Sequence, residues 1–372
     1  MPDHPAVLIA AASGRALAAS ARRGGYRPLV ADFFGDEDTI ALAPHALIAH
    51  GLARGMEEHR LIAALDALAA VQQPIGVVCG TGFEDRPHLL ARIAERWRLL
   101  GNNPDVVATV KDPDMFVALC RHCDIPHPDT QPSRPADPVG WLAKRRGGAG
   151  GSHIAMTARP DVAHGDYYFQ RAITGEPVSV QFLADGRHVV VLGFSTQWSS
   201  PTRARPFRYG GAVQPALLAS RAANALTQAV DRLAQAIPLT GLNSADFLVD
   251  RDEFRLLEIN PRPGATLDIF EPQEGSLFAL HIAACEGELS AAPPCIDGAR
   301  AAAIVYAERD IASFPALRWP DWAADRPRPG TVIKIGEPLC TVDATAATAA
   351  AAKALVNERL ALVLAWTHAR MS

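Results

Sequence analysis

A chain of 372 residues in which 49% are hydrophobic is too long for one ordinary core and apolar enough to bury a large one, so two to four packed subdomains are expected. A formal net charge of −4 spread along the chain argues against a nucleic-acid or membrane-surface protein, and no apolar run approaches membrane-spanning length. The six cysteines, at positions 79, 120, 123, 285, 295 and 340, lie mostly in apolar or helical stretches, as reduced structural thiols of a cytoplasmic protein do.

In chain order, Val7 to Ala12, Pro28 to Asp32 and Ile75 to Cys79 read as short apolar strands, separated by helical stretches around Ala16 to Arg23 and Met56 to Val71. Such alternation predicts a small parallel, doubly wound domain. The opening PAVLIAAASG lacks the basic start of a signal sequence and runs into a helix and a second strand, so it reads as the first strand. The first strand-to-helix turn, AAASGRAL, holds a single glycine; the dinucleotide fingerprint is absent and a dehydrogenase is excluded. Gly80-Thr-Gly82-Phe-Glu84 follows the third strand at the carboxyl edge, where open sheets bind ligands, and is either a substrate contact or a plain turn. A helix from Pro87 to Leu100 stops at Gly101-Asn-Asn-Pro104, a candidate domain boundary.

The next helix begins just after Lys111, with Asp112 as N-cap and Pro113 in the first turn. Cys120-Arg-His-Cys123 invites a zinc reading, but no second pair at ligand spacing follows. After the proline-rich connector from Thr130 to Pro138, WLAKRRGGAGGSHI places Lys144 ahead of Gly147, Gly148, Gly150 and Gly151, a loop whose bare backbone can approach phosphate oxygens. No Gly-Lys-Ser/Thr closes it, so it is not a Walker A loop. YYFQRAITGEPVSVQFLADGRHVVVLG reads as three strands, the last two joined at Asp185-Gly186. Arg203, Arg205 and Arg208 then cluster among turn residues, a grip for an anionic substrate or simply a solvated basic loop, and a helix from Ala216 to Ile237 backs the sheet.

GLNSADFLVDRDEFRLLEINPRPGATLD carries the densest chemistry. Ala245 to Asp250 and Phe254 to Asn260 alternate as strands around Asp-Arg-Asp-Glu turn chemistry, which puts Glu258 and Asn260 on one face. Pairing Asp250 with Phe254 across a three-residue loop sets Asp246 opposite Glu258 on that face. Two carboxylates and a carboxamide suit a hard cation such as Mg²⁺, whereas the plain alternative is a solvated hairpin face. Asn260-Pro261-Arg262-Pro263-Gly264 stops the strand and leaves Arg262 beside the cluster. Beyond Gly287, Ala301 to Ala307 and Thr331 to Val342 look like strands of a small cap, closed by an Ala-rich helix from Ala344 to Trp366; His281 and the other histidines show no ligand spacing.

On those residues, GLNSADF followed by LLEINPRPGATLD resembles the metal-binding end of the ATP-grasp superfamily, the carboxylate–amine (or thiol) ligases that activate an acid as an acylphosphate. SGRALAASARRGGYRPLVADFFGDEDT resembles the pre-ATP-grasp domain that precedes it in such enzymes. The resemblance implies an α/β protein, α+β in its ATP-grasp part. A doubly wound domain spans residues 1–104, a small lobe with a glycine-rich lid 105–175, a large lobe with the metal site 176–290 and a C-terminal extension 291–372. It implies ATP and two Mg²⁺ ions, with Mn²⁺ able to substitute, the metals held by Asp246, Glu258 and Asn260. Lys111, Lys144, Gly148, Gly150, Gly151 and Ser152 would take the phosphates, Gln170, Arg171 and Ile173 the adenine, and Glu176 the ribose; Arg262 and Arg208 would be catalytic. The implied reaction joins a small-molecule carboxylate to an amine with release of ADP and phosphate, in the cytoplasm, without nucleic-acid or membrane partners and with homo-oligomers open. The tyramine–glutamate ligase of methanofuran synthesis has a similar layout, which implies one-carbon coenzyme synthesis of the methanopterin or methanofuran type. A kinase of the same superfamily and a non-catalytic nucleotide-binding module stay open as alternatives.

Overall fold

A computed structural model describes residues 4–47, 57–156, 166–290 and 292–370. The N-terminal part alternates β1 (Ala6–Ala10), α1 (Arg15–Arg23), β2 (Arg27–Asp32), α2 (Glu37–Leu42), β3 (His45–Leu47), α3 (Glu58–Ala69), β4 (Pro74–Cys79) and α4 (Pro87–Ala94). Its strands form a parallel sheet in the order β3-β2-β1-β4. Every residue of β1 is buried, as a strand covered by helices on both faces must be, and this explains the unbroken apolar run. The edge strand β3 was not legible, being three residues long; the Met56 end of the expected second helix lies outside the described residues. The helix expected to reach Leu100 ends at Ala94, because Leu99 bridges in parallel to Val77 and extends the sheet.

At the expected boundary, Asn102 fastens this domain to the rest. Its buried carboxamide donates to Thr240 O (3.0 Å), Asn243 Oδ1 (2.7 Å) and Pro261 O (3.0 Å), and accepts from Thr240 N (2.9 Å). His281 makes a second tie: its Nδ1 accepts from Leu242 N (2.8 Å), so the proton sits on Nε2 and points at Leu100 O (3.0 Å). Burial pushes this imidazole down to about 4, and it stays neutral, the structural role its sequence context suggested.

The small lobe contains α5 (Pro104–Lys111), α6 (Pro113–His122), β5 (Thr130–Gln131), β6 (Trp141–Arg145), β7 (Ile154–Met156) and β8 (Tyr167–Arg171), the strands forming an antiparallel sheet in the order β5-β8-β6-β7. Asp112 caps α6 as expected, accepting from Asp114 N and Met115 N. The large lobe contributes β9 (Glu176–Asp185), β10 (Val189–Ser199), β11 (Tyr209–Gln214), α7 (Ser220–Ala236), β12 (Thr240–Asp250), β13 (Glu253–Asn260), α8 (Leu267–Phe270) and α9 (Leu277–Cys285). The C-terminal segment supplies β14 (Ala299–Tyr306), β15 (Ala323–Ala324), β16 (Pro338–Ala346) and α10 (Ala349–Arg370). Rather than standing apart as a cap, it continues the same sheet, whose eight strands run β13-β12-β9-β10-β11-β14-β16-β15. Ala344 to Ala346, expected as helix, end β16 opposite Ala299 to Ala301; strand pairing overrides the helical propensity of alanine there. Among the described residues no helix is long and apolar enough to cross a membrane.

Alternation positions the site on this sheet. Val178, Val180, Ala245, Phe247 and Ile259 point to one face and pack against α6 and α7. On the other face, Leu183 and Leu242 pack with α1 and α9, while the register continues along the strands to Ser179, Asp246 and Glu258. The loop between β12 and β13 differs from the expected three residues. Asp250 pairs with Glu253, leaving two residues, with Arg251 at φ 56°. A bulge between Asp246 and Phe247 pairings absorbs Leu257 and restores the register, so Asp246 does face Glu258. Without that extra residue Leu257 would take the position and point the carboxylate away.

Candidate nucleotide and metal site

Asp246 and Glu258 are a directly opposed pair, and Asn260 reaches back to donate from Nδ2 to Asp246 Oδ2 (3.0 Å). Lys111, at the end of α5, donates to Asn260 Oδ1 (3.0 Å) and lies 3.5 Å from Glu258 Oε2. Lys144, on β6 opposite Tyr168, is buried at 6% exposure with no ion-paired acid among the described residues, and burial lowers its pKa against the opposing pull of Glu258. Burial alone would raise Glu258, but Lys111, His153 and Lys144 hold it well below the ordinary range. Asp246 moves the other way: burial and then the neighbouring Glu258 raise it. Opposed carboxylates repel one another, and a cation between them relieves that repulsion.

That donor set fits Mg²⁺, which needs only one or two carboxylates and completes its shell with water and phosphate oxygens. Among the described residues no group of three or more His, Cys, Asp and Glu is placed to hold a metal ion, and the third oxygen donor beside the Asp246–Glu258 pair is the carboxamide of Asn260. Cys120 and Cys123 are buried, with the Cys120 thiol pushed by burial up to about 12, and belong to the core beneath α7.

The glycine loop closes over this cluster. Lys111, Gly147, Gly148, Gln170, Tyr168 and Glu258 enclose a cleft of only about 30 Å³, room for a water and not for a nucleotide. Gly150 O accepts from Tyr209 N (2.9 Å), and Gly151, at φ 69°, lies so close that a Cβ would sit 1.8 Å from Phe207 O. Entry of a polyphosphate therefore requires the loop to move off the large lobe.

The other expected residues divide. Gln170 is buried and faces the cleft; Arg171 is exposed, stacked on Trp141 and donating to Val139 O (3.2 Å). Ile173 lies in the link between β8 and β9, Ser152 is exposed in the loop, and Glu176 is exposed at the start of β9, accepting from Thr196 Oγ1 (3.2 Å). Arg262 does lie beside the cluster, donating to Glu84 Oε1 (2.8 Å) and toward Asn260 Oδ1 (3.4 Å). Arg208 does not join it. Its donors go to Ser200 O (3.0 Å), Ser200 Oγ (3.1 Å) and Gly336 O (3.2 Å), and it covers the Tyr306 ring at 3.6 Å, so its contacts brace the strand entry under the glycine loop. In this arrangement two carbonyls, a hydroxyl and an aromatic face satisfy the guanidinium expected to be catalytic.

Glu84, from the turn after β4 that reads as either a substrate contact or a plain turn, stands beside the site: it is held low by Arg262 and Lys111 against its burial, and also accepts from Gly82 N (2.7 Å). Two further neighbours lie beyond the sequence reading. Gln197 on β10 donates to Asp246 Oδ1 (3.2 Å), and His153, pushed by burial down to about 4, faces Glu258 and Lys144. Only the alternation of Ser195 and Gln197 along β10 signalled a polar face there.

Residues 115–266 match the family model of the ATP-grasp domain, which bears out the resemblance read from the residues. The match begins just past Lys111 and takes in Lys144, the glycine loop and the metal-type hairpin. The carbamoyl phosphate synthase large chain of Rubrobacter xylanophilus is 25% identical over 228 residues, 55% of this chain and 21% of that protein; the chain thus spans about a fifth of this curated relative. Among solved structures, biotin carboxylase of Campylobacter jejuni superposes with a TM-score of 0.70 at 16% identity, over 94% of this chain and 89% of that one. N5-carboxyaminoimidazole synthase of Aspergillus clavatus, in complex with ADP and 5-aminoimidazole ribonucleotide, also gives 0.70 at 16% identity, over 98% and 99%. The chain carries an ATP-grasp domain within an α/β fold of the kind these enzymes share.

Proposed function

We propose that this protein is an ATP-dependent, ADP-forming ligase that activates a substrate carboxylate as an acylphosphate and joins it to an amine. The observation that carries the reading is the Asp246–Glu258 pair, opposed across β12 and β13 and set beneath Lys111 and the buried Lys144. Acids flanked by lysines at the mouth of a glycine loop make a receptacle for a metal–polyphosphate. The carboxylate oxygen bonds to the γ-phosphorus as the bond to the ADP oxygen breaks; the amine nitrogen then bonds to the acyl carbon, phosphate leaves and the nitrogen gives up a proton. Lys111 and Lys144 neutralise the phosphate chain, and Arg262, already aimed at Asn260, stabilises the transferring group. Two Mg²⁺ ions, replaceable by Mn²⁺, fit Asp246, Glu258 and Asn260 and supply further neutralisation of the polyphosphate when bound. Gly148, Gly150, Gly151 and Ser152 form the lid, while the backbone of Gln170, Arg171 and Ile173 takes adenine and Glu176 the ribose. The layout shared with tyramine–glutamate ligase supports a place in one-carbon coenzyme synthesis in the cytoplasm.

The test supplies ATP, Mg²⁺, a panel of small carboxylic acids and hydroxylamine. A ligase releases ADP together with a hydroxamate for at least one acid. ADP release that depends on a hydroxyl compound and never yields hydroxamate would identify a kinase and overturn the proposal.

A further inference from the structure

A second cavity, of about 950 Å³, opens where the N-terminal domain, the chain after Arg262 and the C-terminal segment meet. It is far larger than the closed cleft and within the 300 to 1,000 Å³ range of small-molecule sites. Its walls are mainly apolar, with Leu17, Phe33, Phe34 and Ile304 among them. Its lining includes Pro263 and Gly264, the residues that follow the arginine flanking the carboxylate pair.

Its charges are unequal. Inside, Asp36, Asp268 and Asp325 face a single guanidinium, Arg15. Arg15 is spent: it pairs bidentately with Asp268 (2.8 and 2.5 Å) and also reaches both oxygens of Asp325 (3.1 and 3.2 Å). The other cations on the lining, Arg328 and Lys334, are exposed at the rim, and Lys334 pairs with Asp310 at 3.2 Å. Asp36 is different. It is 6% exposed and lines the cavity, yet among the described residues no group hydrogen-bonds or ion-pairs with its carboxylate. The neighbouring acids have partners: Asp32 binds Gly14 N, Gly35 N and His45, and Asp38 accepts from Asp325 N and Arg326 N. A buried acid without a partner costs stability, and natural chains retain such groups where function uses them.

We propose that this cavity binds the amine substrate, a compound carrying a positively charged nitrogen on an apolar body, with Asp36 receiving the cation. The apolar walls take the body, and the excess of carboxylates over guanidinium rejects an anion of the same shape. Burial, and then Asp325, Asp32 and Asp38, push Asp36 up to about 9, so near neutral pH it holds a proton that an arriving ammonium displaces. Only the name "amine substrate" rests on the ligase reading; the binding preference stands on the cavity itself.

The experiment is calorimetric titration of the full chain, without nucleotide, using hexylamine, hexan-1-ol and hexanoate as probes. Hexylamine is expected to bind about tenfold or more tightly than hexanol, the scale of one hydrogen-bonded charge, with hexanoate weakest. Its binding should release close to one proton, read from the dependence of the enthalpy on buffer. Asp36→Asn should bring hexylamine down to the level of hexanol, and Asp36→Ser should do the same. No hexylamine binding, a preference for hexanoate, or unchanged affinity in both variants overturns the inference. Because ATP is absent, these results leave the ligase reading untouched, whereas a failed hydroxamate assay with hexylamine binding intact removes that reading alone.

Discussion

The acids of the candidate nucleotide cleft are half-buried, with the Glu258 side chain 31% exposed, whereas Asp36 of the large cavity is buried, and the two regions are compensated in opposite ways. Glu258 has Lys111 at 3.5 Å, and Asp246 has the carboxamides of Asn260 and Gln197. Asp36 has only like charges and a guanidinium already taken by others. The cleft is therefore preorganised for a charge it already half-neutralises, while the cavity keeps an unmet demand for a cation. Under the two proposals above, the first arrangement serves chemistry and the second serves recognition.

The comparison breaks most severely at Arg262, which reaches toward Asn260 in the cleft while the next residue, Pro263, lines the cavity. Its ion pair with Glu84 is 2.8 Å long with side chains 14% and 4% exposed. Arg262→Met leaves Glu84 buried and unpaired and should cost about 3 kcal/mol or more in denaturant unfolding, besides lost activity. A loss below about 1 kcal/mol would show the pair to be solvated.

Lys144→Ala sharpens the contrast by removing a buried cation that pairs with no acid among the described residues. ATP affinity should fall by about tenfold or more, whereas melting should change little, since loss of the charge also removes its desolvation cost. Calorimetry showing unchanged ATP affinity in the folded variant contradicts the phosphate role.

Asp36→Asn should act in the reverse sense and stabilise the protein. In the unfolded chain this carboxyl titrates near its ordinary value, whereas in the fold it keeps its proton up to about 9. Between those values the unfolded state has released the proton and the folded state has not, so stability falls as pH rises from about 4 to 9. The variant should be more stable by on the order of 1 kcal/mol at neutral pH and show a shallower decline above it. Equal melting curves for parent and variant from pH 5 to 9 would remove the strain assigned to Asp36.

The two regions also differ in how they can be read from the chain. The carboxylate pair lies on adjacent strands, and period-two alternation with the Asn-Pro stop places Asp246, Glu258 and Asn260 on one face. The path to that register was less visible. The Arg251-Asp252 turn lacks the Asn-Gly or Asp-Gly signature of a two-residue loop, and a bulge at Leu257 has no compositional mark between two good strand formers. The cavity, by contrast, is assembled from seven segments between Ala12 and Thr341, so no window of sequence contains it. Asp36 reads simply as the N-terminal residue before α2, and only the fold brings Asp325 to it. The end of β16 was blurred for a related reason: Ala344 to Ala346 are set as strand by pairing with β14, not by their own preference.

The central claim is that the opposed carboxylates hold the metal–ATP rather than decorate a hairpin, and Glu258→Gln tests it most directly. The substitution preserves shape, the bulged register and the buried neighbours Leu256 and Ile259, and removes one anionic ligand. ADP release at saturating Mg²⁺ and ATP, with the melting curve measured alongside, is expected to fall by at least about two orders of magnitude in a well-folded protein, the scale of losing one preorganised electrostatic group. Turnover within a few-fold of the parent, with the same melting temperature, would contradict the account.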